Sequence, residues 1–212
     1  MTHILHIDSS PRAERSISRQ LTKELINLWK QIHPHDTITY RDLGHSPVPF
    51  IDESWIAASF SLPEQVTPEL AAALSISDEL IDEFLVADLY VFGIPMYNYS
   101  IPANFKAYID QIVRVRRTFM VGADGYEGLA KDKKMLVITT RGGSYAASSL
   151  DFQAPFLQAV FELIGITDIT FIHAENLSMG MEDRQQSLAA ARQAIQQFIE
   201  TWQMTNATLS AW

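Results

Sequence analysis

The chain has 212 residues, enough for one compact domain, which we expect to span 1–212. Hydrophobic residues make up 47% and charged residues 19%, a balance that supplies a sizeable core and excludes a disordered chain. The net charge of −9 argues against nucleic acid, which needs a basic footprint, and the lack of cysteine excludes disulfides, thiolate nucleophiles and Cys-ligated metals.

The opening stretch, MTHILHIDSSPR, has no basic leader, long apolar stretch or cleavage site, and no later apolar run is long enough to span a bilayer. A soluble, cytoplasmic protein is the expectation. Five short runs rich in branched and aromatic residues then alternate with segments of helical period. The first strand is His3–Asp8, followed by a helix over Ser16–Gln31 with Ile17, Leu21, Leu25 and Leu28 on one side. The second strand is Thr37–Arg41. Residues 42–68 are irregular, holding Pro47, Pro49, Pro63 and Pro68, and are expected to wrap the site edge or a partner subunit. A helix over Thr67–Leu85 opens with a capping threonine and a proline at its first position.

The third strand is Asp88–Gly93, followed by a helix over Pro102–Val113. Residues 116–132, with Gly122, Gly125 and Gly128, read as an excursion before the fourth strand, Lys134–Thr140. A short helix over Pro155–Ile164, the fifth strand Asp168–Glu175 and a closing helix over Glu182–Gln203 complete the series. Alternation of this kind predicts an α/β three-layer sandwich: a parallel sheet with helices on both faces. Five strands suit the 2-1-3-4-5 order of flavodoxin-like folds.

Ligands of such sheets bind beyond the carboxyl ends of the strands, where the strand order reverses. The loops after strands one, three and four are also the most unusual in the chain. The first, Ser9–Ser18, is rich in hydroxyls and opens a helix, whose unpaired N–H groups receive phosphate well. Plain capping by Ser16 is the simpler alternative, with Arg12 or Arg15 available as charge. Neither G-x-G-x-x-G nor G-x-x-x-x-G-K-[ST] is present, which argues against a dinucleotide fold and a triphosphatase and leaves a monophosphate. The second loop runs from Ile94 to Pro102, stiffened by two prolines, with Tyr97 and Tyr99 to flank a flat ring and the N–H groups of Met96 to Asn98 to reach its edge. The third, Thr140-Arg141-Gly142-Gly143-Ser144-Tyr145, carries paired glycines that let the backbone approach a ligand; an ordinary glycine turn is the simpler alternative for the pair alone, and its place on one rim with the other two loops favours the ligand.

On these residues the chain resembles the FMN-dependent NADH-azoreductase family, whose members also reduce quinones. The likeness covers nearly the whole chain and is carried by Ser9-Ser10 and Ser16-Ile17-Ser18, PMYNYSIP at 95–102, TRGG at 140–143 and GITDI at 165–169. It implies a homodimer with one FMN per subunit near the interface and NADH or NADPH as electron donor. It also implies that Ser10, Ser16, Ile17 and Ser18 contact the phosphate, and that Met96, Tyr97, Asn98, Tyr99, Thr140, Arg141, Gly142 and Gly143 surround the isoalloxazine ring. The chain departs from the family at Tyr99, where phenylalanine is common, and around Tyr145 and Ala146–Leu150, where relatives have a histidine nearby.

The implied chemistry passes two electrons through flavin N5 to quinones and aromatic azo compounds in a ping-pong cycle, with no catalytic side chain required. Tyr126 and Tyr145 are candidates for lining the substrate opening, although an exposed loop tyrosine is the simpler account of Tyr126. Histidines 3, 6 and 173 lie within strands and read as structural, and no metal site is expected. Arg114, Arg116 and Arg117 suit a helix C-terminus. The main alternative is a flavodoxin-like electron carrier with no substrate site of its own. A receiver domain would need clustered acids beside Asp8, and a phosphodiesterase would need metal ligands.

Overall fold

The computed structural model describes residues 1–123 and 125–209. Five strands form one parallel sheet: β1 (His3–Asp8), β2 (Thr37–Asp42), β3 (Leu89–Pro95), β6 (Lys134–Thr140) and β7 (Asp168–Ala174), in the spatial order β2-β1-β3-β6-β7. This is the expected 2-1-3-4-5 arrangement once the sheet strands are counted alone. The register sets His6 beside Val91, Phe92 beside Val137 and Val137 beside Phe171.

β3 is buried at every position, as a central strand covered on both faces must be. Its alternate side chains divide the core. Tyr90, Phe92 and Ile94 join Leu5, Ile7 and Val137 in a cluster under α3 (Pro68–Val86), α4 (Ala103–Ile112) and α5 (Ala154–Leu163). Leu89 and Val91 join Ile4, Leu136 and Ile138 under α1 (Ile17–Ile32) and α6 (Met181–Leu209). Gly93 lies on the α1 face, where a Cβ would come within 2.4 Å of the Asp8 carboxylate and 3.0 Å of Thr22. Residues larger than glycine would displace the carboxylate that Thr22 and Tyr40 hold there.

Helix starts follow the sequence signals. Ser16 accepts from the Arg19 amide, and Thr67 accepts from the Leu70 amide with Pro68 at the first helical position. One helix and one hairpin were not expected. Within 42–68 the chain forms α2 (Glu53–Phe60), capped by Asp52 and seated through Trp55 and Ala58 against Leu74. The excursion at 116–132 is an antiparallel hairpin of β4 (Phe119–Gly122) and β5 (Gly125–Gly128). Its base presses on the chain before β7: a Cβ on Gly128 would stand 2.1 Å from the Gly165 amide nitrogen. Among the described residues no helix is long and apolar enough to cross a membrane.

Candidate flavin site

The loops after β1, β3 and β6 meet at the carboxyl edge of the sheet, joined by the loop after β7. Two adjoining cavities open there. One, of about 160 Å³, is lined by Ser10, Ser16, Ile17, Met96, Thr140 and Gly142, among others. The second, of about 230 Å³, is lined by Met96, Asn98, Tyr99, Gly142 and Tyr145. They share Met96 and Gly142, so together they form one elongated depression.

At the first end the serine loop is held from behind. Arg19 Nε donates to the Ser10 carbonyl at 2.7 Å, and Asn104 Nδ2 donates to the Ser9 carbonyl at 2.9 Å. Arg19 itself is fixed by a two-pronged ion pair with Asp42, whose carboxylate also accepts from the His45 ring. Although burial works the other way, the bonds from Arg19 and His45 hold the Asp42 pKa far below the ordinary carboxylate range. With its carbonyls tied back, the loop turns its donors forward. The Ser16 hydroxyl caps the helix through the Arg19 amide and lies 3.1 Å from the Ser18 hydroxyl. Among the described residues the amides of Ile17 and Ser18 have no partner. Capping and anion binding are therefore compatible: Ser16 takes one of the orphan amides of the first turn and leaves two. Arg12 and Arg184 also line this cavity and supply positive charge.

At the other end, Tyr97 and Ser100 exchange backbone bonds of 2.9 and 3.1 Å around Asn98 and Tyr99, which have φ of 50° and 68°. This is a two-residue turn of the I′ kind, for which asparagine is suited and tyrosine is not. The sequence pointed to the amides of Met96, Tyr97 and Asn98 as ring donors, but Met96 donates to the Thr140 carbonyl and Tyr97 to Ser100, which leaves Asn98 of the three. The amides without a partner among the described residues are those of Asn98 and Tyr99. In the loop after β6, the carbonyls of Arg141, Gly142 and Gly143 accept from Leu177, Ser178 and Asn176, while the amides of Gly142 and Gly143 have no described partner.

Arg141 enters the depression through its backbone. Its guanidinium is buried, paired with Asp151 Oδ2 at 2.9 Å and bonded to Gln153 and Glu175. Glu175 accepts from the Tyr145 and Ala146 amides, both at 2.7 Å. Partial burial alone would raise its pKa, but these bonds and Arg141 bring it below the usual value. His173 bonds to Thr139, and burial followed by the charge of Arg141 lowers its pKa.

Of the residues expected from sequence, Ser10, Ser16, Ile17, Met96, Tyr97, Thr140, Arg141 and Gly142 line the first cavity. Asn98, Tyr99 and Tyr145 line the second. Ser18 and Gly143 line neither cavity: Ser18 is buried, and Gly143 lies against the Tyr145 ring. Tyr126 lines neither cavity and stands exposed on the hairpin, edge-on to Phe119. Leu177, Ser178 and Arg184 belong to the site but were missed, because nothing in their spacing marks the loop after the fifth strand.

A larger cavity of about 470 Å³ lies off the sheet edge between α1 and β2. Arg19, Asp42 and His45 on its wall pair with one another, and burial together with the Asp8 charge pushes the Tyr40 phenol up to about 12. It lacks the row of forward-facing amides found at the carboxyl edge, which makes the smaller depression the better cofactor site.

Comparison with known proteins agrees with the fold. A family model described as a flavodoxin-like fold matches residues 2–199. The chain is 70% identical over 200 residues to FMN-dependent NADH:quinone oxidoreductase 1 of Trichormus variabilis, covering 94% of this chain and 97% of that protein. It is 43% identical over 197 residues to the FMN-dependent NADH:quinone oxidoreductase of Azotobacter vinelandii, covering 93% and 99%. Among solved structures, azoreductase from Bacillus anthracis str. Sterne superposes with a TM-score of 0.87 at 26% identity, over 95% of this chain and 100% of that one. An FMN-dependent NADH-azoreductase from Bacillus anthracis str. Ames Ancestor, in complex with FMN, gives 0.81 at 26% identity, over 93% and 99%. Fold and sequence likeness together place this chain in the family of FMN-dependent NADH:quinone oxidoreductases and NADH-azoreductases.

Proposed function

We propose that the chain is a cytoplasmic, homodimeric enzyme that binds FMN and passes two electrons from NADH or NADPH to quinones and aromatic azo compounds. The observation that carries this reading is a set of amides with no partner among the described residues: those of Ile17, Asn98, Tyr99 and Gly142 line one depression, and those of Ser18 and Gly143 adjoin it. A monophosphate suits the first end, where a helix N-terminus, the Ser10 hydroxyl and two arginines converge. A flat ring with polar edges suits the second, where backbone donors stand between Met96 and the tyrosines.

When bound, FMN supplies the two-electron redox chemistry through its N5 position. The protein's part is to hold and orient. Ser10, Ile17 and Ser18 would fix the phosphate, and Asn98, Tyr99, Gly142 and Gly143 would donate to the ring edge. Met96, Tyr97 and Thr140 would wall the junction, and Arg141 acts by shaping its own loop. Nicotinamide and acceptor would use the same opening in turn, which gives ping-pong kinetics. Phe50, Phe60 and Phe152 are exposed, apolar surface of the kind a partner subunit covers. NADH, the reductant in the relatives' name, is a cytoplasmic metabolite, which favours that compartment.

Purified protein is expected to be yellow, to release FMN on denaturation, and to oxidise NADH in steady state with 1,4-naphthoquinone as acceptor. An electron carrier with no substrate site would bind FMN but fail to turn over alone. Folded protein that is colourless and takes up no added FMN would overturn the proposal.

A further inference from the structure

The loop after β6 carries a ring whose position its own segment does not explain. Residues 146–150 are exposed, and Ala147 has a φ of 59°. Yet Tyr145 is seated: a Cβ on Gly143 would lie 3.3 Å from its ring atoms, and it meets Tyr99 edge-on at 5.7 Å between centroids. It thereby forms one wall of the 230 Å³ cavity.

The hold comes from Glu175, one residue beyond β7. A single carboxylate oxygen accepts from the Tyr145 and Ala146 amides at 2.7 Å each, and the other oxygen accepts from the Ser144 hydroxyl at 3.4 Å. The same carboxylate lies 3.3 Å from Arg141, but Arg141 already has Asp151 at 2.9 Å. One guanidinium thus faces two carboxylates, so Glu175 is surplus to charge balance. Its short bonds go to the loop amides, and charge-assisted bonds of this kind are the stronger sort.

We propose that Glu175 is a positioning residue that fixes Tyr145 as the aromatic wall of the acceptor opening and so governs the affinity for flat acceptors. The proposal rests on the reading of this depression as the flavin and acceptor site. Glu175 reaches the acceptor only through Tyr145, so its loss should weaken acceptor binding without slowing the chemical step.

Hydrogen exchange on the wild-type protein should show the Tyr145 and Ala146 amides protected, with the neighbouring Ala147 amide, which has no described partner, exchanging fast. In Glu175→Gln, exchange at Tyr145 and Ala146 should rise about tenfold, as expected on losing a charge-assisted bond. With FMN saturating, KM for 1,4-naphthoquinone should rise about fivefold while kcat stays within about twofold of wild type. Tyr145→Leu should raise the same KM by a similar factor, and the double variant should add nothing further. Fast wild-type exchange at Tyr145 and Ala146 would overturn the proposal. So would an unchanged quinone KM in Glu175→Gln whose loop exchange has risen, or, if that variant does not fold, an unchanged KM in Tyr145→Leu. Failure of the flavin reading would show itself separately, as protein that takes up no FMN, while the exchange pattern would still report on the latch.

Discussion

Tyr99 shows how a single residue can work against its backbone. Its φ of 68° puts a large side chain in the left-handed region, at a cost of about 1 kcal/mol. Glycine would occupy that turn without strain, yet only an aromatic side chain can meet Tyr145 and wall the cavity. Tyr99→Gly should therefore raise the urea stability of the apoprotein by about 1 kcal/mol while lowering FMN affinity. A variant that loses stability and keeps its flavin affinity would contradict this account. The residue identities that matter here were visible in the sequence, but their roles were only partly so. Tyr97 and Asn98 named the loop, whereas which amides remain unpaired depends on the Thr140 carbonyl, 44 positions away from Met96. No local pattern carries that information. Arg141 is the clearest case: it belongs to a recognisable run, but its burial against Asp151 and Glu175 follows from where the segment before α5 and the end of β7 bring those carboxylates.

At the scale of elements, α1 serves as both a structural and a binding unit. Ser16→Ala removes the side-chain cap, which should cost about 1 kcal/mol of stability. It also removes the hydroxyl next to Ser18, so FMN affinity should fall while riboflavin affinity, which lacks the phosphate, stays the same. Equal loss for the two ligands would mean that this end does not receive the phosphate. The five sheet strands and five of the helices could be read because each repeats a period over many residues, either a branched apolar run or a 3.6-residue stripe. The hairpin could not. β4 and β5 are four residues long, contain or end in glycine, and are largely exposed, so neither a core face nor a propensity marks them. α2 was hidden for a related reason: it is eight residues long, in a proline-rich stretch, and buries little beyond Trp55, Ala58 and Ser59.

For the whole molecule, the shifted groups that titrate on the acid side of neutrality point one way. Glu175 and Asp42 have pKa values held below the ordinary range by their hydrogen bonds, against the effect of burial. His173 is lowered chiefly by burial. For each, the folded state binds protons less readily than the unfolded chain does, so its contribution is present above the unfolded pKa and is lost as the pH falls through the folded value. Stability should be level near neutrality, decline below about 6.5 as His173 resists protonation, and decline again below about 4 as the carboxylates are forced to neutralise. Urea midpoints measured from pH 7.5 to 3 would show two descents; a flat profile would refute the assignment.

The seat of the β4–β5 hairpin is made of backbone on both sides, Gly128 against Gly165. Contact of that kind is indifferent to the side chains carried further out. Mutations at the hairpin tip can alter its chemistry without altering where it stands, whereas a methyl group at Gly128 would meet backbone at 2.1 Å and dislodge the arm, and one at Gly165 would be strained by its φ of 105°. The arm is thus open to change along its length and closed to it at its seat, where Gly128 leaves no room for a side chain.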